Sequence, residues 1–245
     1  MFFFGKKKVT QSVDLSWIGV DMHSHLIPGI DDGSPDMATS LELIRGLQSL
    51  GYKKLITTPH ILWEVYPNTT EIITDGLAAL QQAVQAEGLT IELQAAAEYY
   101  IDEHFDELLK KKVPLLPIKG NWVLVEFSMI TAPLDLQQVL FEMQIQGYQP
   151  IIAHPERYIY LAQRKHFFDE LKEAGCLFQL NLLALTGYYG KPVQELADYL
   201  LKNNFYSFAG TDMHNARHLA ALQKLAGTAL YTRLKDAGIL KNATL

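Results

Sequence analysis

Short, nearly continuous apolar runs alternate along the chain with stretches whose apolar positions fall three or four residues apart. The first pattern marks strands buried on both faces, and the second marks amphipathic helices. Seven strands are predicted: Ile18–Met22, Lys54–Thr58, Thr90–Ala97, Trp122–Phe127, Pro150–Ala153, Cys176–Leu182 and Tyr206–Gly210. Helical material follows each. Ser34-Pro35 predicts an N-cap with proline at the first helical position, and Leu43, Leu47 and Leu50 form the stripe of the helix it opens, which ends at Gly51. Ile72, Ile73, Leu77, Leu80 and Val84 mark the second helix. Further helices fall at Glu103–Lys111, around Leu136–Met143, at Phe167–Ala174, around Val193–Leu200, and in the tail from Arg217. Strands alternating with helices predict an α/β fold with a parallel sheet, most economically a distorted (β/α)7 TIM-like barrel. A doubly wound open sheet is the alternative.

The length of 245 residues suits one such barrel, expected over residues 17–245. Residues 1–16 are expected to form a flexible N-terminal arm. Its Phe2-Phe3-Phe4 run precedes Lys6-Lys7-Lys8, the reverse of a signal peptide. A small anchor for a partner or membrane surface is the secondary reading of that arm. The net charge of −6, with no basic stripe in the body of the chain, argues against a nucleic-acid partner. The single cysteine, Cys176, permits no intrachain disulfide and suggests a reducing, cytoplasmic setting. No apolar run approaches the roughly 20 residues of a transmembrane helix.

The chemistry lies at the ends of the strands. His23 and His25 follow the first, with Asp31 and Asp32 in the next loop; His60 follows the second; Glu98 ends the third; Glu126 lies near the end of the fourth. His154 and Arg157 follow the fifth, and Asp212 and His214 the seventh. In a parallel barrel all these ends share one face, where active sites sit. Ionisable groups are seldom buried without partners, so their concentration there points to bound cations. Imidazole and carboxylate without thiolate suits Mn²⁺, Fe²⁺ or Zn²⁺. One catalytic ion ordinarily takes about three protein ligands. His23, His25, Asp32, His60, Glu98, Glu126, His154, Asp212 and His214 therefore fit two or three ions better than one. Away from strand ends, His104, His166 and His218 read as bystanders, and Asp31 as a residue of the Pro28–Gly33 turn.

The run from Asp21 to Ser34, with Thr57-Thr58-Pro59-His60, Ala97-Glu98, Val125-Glu126-Phe127, Ala153-His154-Pro155-Glu156-Arg157 and Gly210-Thr211-Asp212-Met213-His214, resembles the polymerase-and-histidinol-phosphatase (PHP) superfamily. More narrowly, it resembles the bacterial tyrosine-protein phosphatases of capsular and exopolysaccharide clusters. The resemblance implies a distorted seven-stranded barrel with a trinuclear site, commonly loaded with manganese. It implies one ion at His23, His25, Glu98 and Asp212, a second at Glu98, Glu126 and His154, and a third at Asp32, His60 and His214. It also implies that Arg157 grips phosphate, and that the substrate is the phosphotyrosine-bearing tail of a polysaccharide-export tyrosine kinase, hydrolysed by metal-activated hydroxide. Asp212 is a candidate for assisting the leaving group.

Other chemistries fit less well. Cys176 sits inside an apolar strand and lacks the arginine six residues on that a cysteine phosphatase needs, Leu182 standing there instead. Gly187-Tyr188-Tyr189-Gly190-Lys191 has the wrong spacing for a Walker loop. A small-molecule phosphatase, such as one acting on histidinol phosphate, and a non-enzymatic metal-binding scaffold stay open. Ile61, Trp63, Tyr66, Tyr99, Tyr100, Tyr188 and Tyr189 follow strand ends and are candidates for the rim that meets a phenyl ring.

Overall fold

The computed structural model describes residues 13–245. The strands are β1 (Val20–Asp21), β2 (Lys54–Thr57), β3 (His60–Ile61), β4 (Glu92–Ala95), β5 (Glu98–Tyr100), β6 (Trp122–Glu126), β7 (Gln149–Ala153), β8 (Leu177–Asn181) and β9 (Phe208–Gly210). All pair in parallel, in the orders β1-β2-β4 and β3-β5-β6-β7-β8-β9. The helices are α1 (Met37–Ser49), α2 (Thr70–Ala86), α3 (Glu103–Lys110), α4 (Leu136–Ile145), α5 (His166–Glu173), α6 (Lys191–Lys202), α7 (Ala216–Leu222) and α8 (Ala229–Ala237). Seven strand positions with helical connections make the distorted TIM-like barrel expected from the alternation. Met22, Ile56, Ala96, Leu124, Ile151 and Phe208 belong to a small buried cluster distinct from the large core that includes the helix stripes. Among the described residues no helix is long and apolar enough to cross a membrane.

Two predicted strands, Lys54–Thr58 and Thr90–Ala97, are each followed by a second short strand beyond the predicted bounds, β3 and β5. Pro59 has no N–H to give a ladder, and β2 stops before it. Alongside, β4 gives way to β5 at Ala96-Ala97. The second halves join the larger sheet, in a register that sets His60 directly opposite Glu98. The distortion of the barrel thus brings two ionisable residues together.

The start of α1 also differs from expectation. Asp36, not Ser34, caps it, accepting from the Thr39 N–H at 2.8 Å. Ser34 is instead buried and donates to the Asp36 carbonyl. Residues 1–12 of the expected arm lie outside the described residues; Val13 and Leu15, among its last four positions, are buried in the core.

The barrel closes between β9 and β1 with little regular ladder. One parallel bridge joins Ser24 to Met213, through His25 N–H to the Met213 carbonyl at 2.9 Å and Asp212 N–H to the His23 carbonyl at 2.7 Å. Side chains complete the seam. Asp21 accepts from the Thr211 N–H (2.9 Å) and hydroxyl (2.5 Å). Burial nevertheless pushes its carboxyl up to about 6, only partly countered by those donors. Further down, the buried Asn242 amide donates to the Val20 and Ala209 carbonyls (2.9 and 2.7 Å) and accepts from the Ala209 N–H (3.0 Å). It stands where a strand would be.

Replacing Asn242 by Ala should leave those three buried backbone groups unpaired, a loss of roughly 3 kcal/mol in stability. The corresponding fall in Tm is about 9 °C for a chain of this size. A thermal melt within about 2 °C of the parent protein would show that Asn242 does not hold the seam.

Candidate metal centre

The strand ends deliver their side chains to one cluster. His23 and His25 alternate with Ser24 on extended backbone just after β1, so both face inward. Their outer nitrogens are tied down: His23 Nδ1 lies 2.9 Å from Gln179 Oε1, and His25 Nδ1 2.7 Å from Asp31 Oδ2. A carbonyl or carboxylate oxygen can only accept, so in the neutral rings each Nδ1 carries the proton and each Nε2 a lone pair. Those two Nε2 atoms are 3.3 Å apart. Both are also 3.4 Å from Asp212 Oδ1, and lie 3.1 and 3.4 Å from Glu98 Oε2. Lone pairs therefore face lone pairs in a buried space. A cation between them is the arrangement that satisfies all four groups.

Three further groupings adjoin the one formed by His23, His25 and Glu98. His23, His154 and Asp212 converge, as do His60, Glu98 and Glu126. His25, Asp32, His60 and His214 form the outermost set. His60 Nδ1 is 3.2 Å from Glu98 and 3.1 Å from Glu126, yet is buried without a hydrogen-bond partner. His154 Nε2 is 3.1 Å from Glu98 Oε1 and 3.7 Å from Glu126 Oε2. His60 and His214 each place Nε2 3.4 Å from Asp32 Oδ1. All nine candidate ligands thus belong to one connected cluster, with Glu98 at its centre. The groups overlap more than the partition implied by the resemblance: His60 approaches Glu98 and Glu126, and His25 joins the outermost set. An orphaned buried nitrogen, facing lone pairs and an oxygen–nitrogen donor set all fit divalent transition ions.

The charge balance leads to the same fit. Asp31, Asp32, Glu98, Glu126 and Asp212 bring five carboxylates into or against the cluster, and Arg157 is the arginine that pairs with it. Burial pushes the His60 imidazole down, but Glu98, Asp32 and Glu126 outweigh it and hold it at about 10. Burial alone would raise Glu98 and Asp212; the surrounding imidazoles keep both well below the usual carboxylate range.

The backbone is bent to the same purpose. His154 (φ 32°) and Asp212 (φ 51°) sit in the left-handed region that ordinary residues avoid. Gly210 lets the last strand approach the first, since a Cβ there would stand 2.6 Å from that of His23. Gly33 fits against His25 in the same way, at 2.4 Å.

Above the cluster opens a cavity of about 550 Å³. Asp32, His60, Glu126, Arg157, Asp212 and His214 face it from the ligand side, and Tyr66, Tyr100, Met129, Ile130 and Tyr189 supply aromatic and apolar wall. Arg157 Nη1 donates to Asp212 Oδ2 at 3.0 Å, and the guanidinium lies 4.9 Å from the centre of the Tyr189 ring. Of the expected rim residues, Tyr66, Tyr100 and Tyr189 line this cavity. Ile61 and Tyr99 are buried, Trp63 stacks on His104 in a neighbouring groove, and Tyr188 packs edge-on against His218.

Two supposed bystanders take part in the site. Asp31 does brace its turn, through the Gly33 N–H, but it also holds His25 and accepts from the His60 N–H at 3.2 Å. His218 lines the cavity, its Nδ1 3.0 Å from the Asp212 carbonyl. Asn181 accompanies them, hydrogen-bonded to Asp212 Oδ2 at 2.8 Å. Asp31 sits next to a ligand in a loop and could have been suspected from position; His218, on α7, gave no strand-end signal. His104 and His166 remain outside the site, the latter on the exposed start of α5.

Known proteins supply relatives. Tyrosine-protein phosphatase YwqE of Bacillus subtilis (strain 168) is 28% identical over 236 residues, spanning 92% of this chain and 93% of YwqE. CapC of Staphylococcus aureus is 30% identical over 196 residues, spanning 80% of this chain and 77% of CapC. A solved structure from work on YwqE of B. subtilis and CpsB of Streptococcus pneumoniae, described as metal-dependent tyrosine phosphatases, matches with a TM-score of 0.77 at 27% identity. It covers 91% of this chain and 94% of the other. With residues 19–235 matching as well, the chain belongs to the CpsB/CapC family of capsular polysaccharide synthesis.

Proposed function

We propose that this protein is a metal-dependent protein-tyrosine phosphatase acting in capsular or exopolysaccharide synthesis. The observation that carries the reading is the meeting of the His23 and His25 Nε2 atoms with Glu98 and Asp212, buried beneath an aromatic-walled cavity that Asp212 and Arg157 line. The description of YwqE and CpsB as metal-dependent tyrosine phosphatases supports it. The ligands are His23, His25, Asp32, His60, Glu98, Glu126, His154, Asp212 and His214, holding two or three ions, with manganese first and iron or zinc as alternatives. Divalent cations in such a site screen a phosphate dianion and acidify the water that attacks it.

The protein's own residues do the rest. Arg157 has one N–H on Asp212 and 28% of its side chain exposed, so the remaining fork is available to phosphate oxygens. Tyr66, Tyr100 and Tyr189 flank the space a phenyl group would occupy. Both Asp212 oxygens are engaged, Oδ1 by imidazoles and Oδ2 by Arg157 and Asn181, which makes it an anchor rather than a proton donor. A phenolate leaving group, with pKa near 10, needs less help from protonation than a serine alkoxide. The substrate is the phosphotyrosine-bearing tail of a bacterial tyrosine kinase in the cytoplasm, a setting with which the free, buried Cys176 agrees. The aromatic wall of Tyr66, Tyr100 and Tyr189 favours this over a small phosphate such as histidinol phosphate.

Purified protein should carry more than one equivalent of transition metal, and chelation should abolish hydrolysis. Full activity at one equivalent or fewer, by elemental analysis, excludes the multinuclear site. Arg157→Ala should retain the metal yet lose at least about tenfold in kcat/KM, roughly 1.4 kcal/mol of transition-state stabilisation; an unchanged kcat/KM removes Arg157 from the site. Under matched manganese loading, a phosphotyrosine peptide should be turned over faster than phosphoserine peptide, histidinol phosphate or a dinucleotide. Faster turnover of histidinol phosphate reassigns the substrate and leaves the phosphoesterase standing.

A further inference from the structure

An arginine beside a carboxylate ordinarily closes into a two-pronged pair, with both oxygens taken by two N–H groups. Arg157 and Asp212 do not. Asp212 Oδ1 is turned away, 3.4 Å from the nearest nitrogens of His23, His25 and His214. Only Oδ2 faces the guanidinium, and it accepts from two donors, Arg157 Nη1 at 3.0 Å and Asn181 Nδ2 at 2.8 Å. The Asn181 amide has a second hydrogen, which goes to the Tyr189 hydroxyl at 3.1 Å. Tyr189 in turn presents its ring to Arg157, 4.9 Å from centroid to guanidinium carbon. Asn181 is fully buried at the end of β8, and its own N–H is fixed on Glu156 Oε1 at 2.7 Å. Its side-chain oxygen caps the turn that follows, accepting from the Leu183 N–H at 2.9 Å. Both polar atoms of its side chain and its backbone N–H are therefore assigned, and two of its bonds converge on the surroundings of Arg157.

We propose that Asn181 and Tyr189 are positioning residues that keep the Arg157–Asp212 pair one-pronged and thereby leave the rest of the guanidinium fork for the substrate phosphate. Asn181 fills the second acceptor site of Oδ2, while Oδ1 stays with the imidazoles. Tyr189 supports the guanidinium plane by stacking and is itself held by the same amide. Without Asn181 the second acceptor position of Oδ2 stands open, a further N–H of the guanidinium closes onto it while Oδ1 stays with the imidazoles, and the arginine is drawn out of the cavity. This inference rests on the reading of the site as a phosphatase centre, and it adds a physical reason why an arginine already paired with an acid still binds phosphate.

The test uses the metal-loaded full chain with inorganic phosphate as the probe, its Kd measured by calorimetry, and p-nitrophenyl phosphate as the substrate. Asn181→Ser keeps a side chain that caps the Leu183 N–H but cannot reach Asp212 or Tyr189. Tyr189→Leu removes the stacking face and adds no charge. Phosphate Kd and KM should rise roughly tenfold in Asn181→Ser and about fivefold in Tyr189→Leu. The metal content should be unchanged and kcat should fall by less than KM rises. Phosphate Kd values within twofold of the parent overturn the proposal, as does a loss confined to kcat or accompanied by loss of metal. Should Asn181→Ser not fold, by circular dichroism, Tyr189→Leu decides alone. A parent protein that hydrolyses no aryl phosphate instead fails the phosphatase reading itself, while its phosphate Kd still measures the arginine.

Discussion

Everything at the mouth of this barrel depends on one electrostatic constraint: five carboxylates crowd around a set of imidazoles whose lone pairs point inward, with one arginine to answer them. Such a cluster is costly to bury unless cations or protons occupy its centre. The surrounding structure holds it in that costly form. Gln179 and Asp31 fix the outer nitrogens of His23 and His25. His154 and Asp212 accept left-handed backbone. Side chains held this way are oriented before any cation arrives, the arrangement a metal site requires.

The same constraint reaches into the architecture of the barrel. The seam between the last and first strands runs through the ligands themselves, for the backbone of Asp212 bonds that of His23, and His25 bonds Met213. Just beneath, Asp21 grips Thr211, and Asn242 stands in for absent ladder bonds. Closure of the fold and assembly of the cluster are one event, and this is why a polar side-chain seam is tolerated where a continuous ladder would otherwise run. The breaks at Pro59 and Ala96-Ala97 act likewise in the strand positions next to β1, bringing His60 level with Glu98.

Arg157 shows how neighbouring groups divide one residue between structure and chemistry. It compensates Asp212 with a single N–H and rests against Tyr189, while the remainder of its fork opens to the cavity. The division comes from β8, the strand position that contributes no charged ligand: its Gln179 orients a histidine and its Asn181 orients the acid.

The sequence alone determined the order of the elements and the convergence of the candidate ligands. Short apolar runs without polar alternation suit strands covered on both faces, and a parallel barrel sends every strand end to one rim, which places His23 through His214 together. Local competition escaped it. Asp36 displaced Ser34 as the α1 cap because Ser34 was needed inside, and no pattern of hydropathy records that choice. Tertiary structure alone decided that β3 and β5 would join the larger sheet, that His218 would join the site, and that Asn181 would stand between Asp212 and Tyr189. The physical reason is that hydropathy and strand position report burial and direction, whereas the partner of a buried polar atom is settled by distances between residues far apart in the chain.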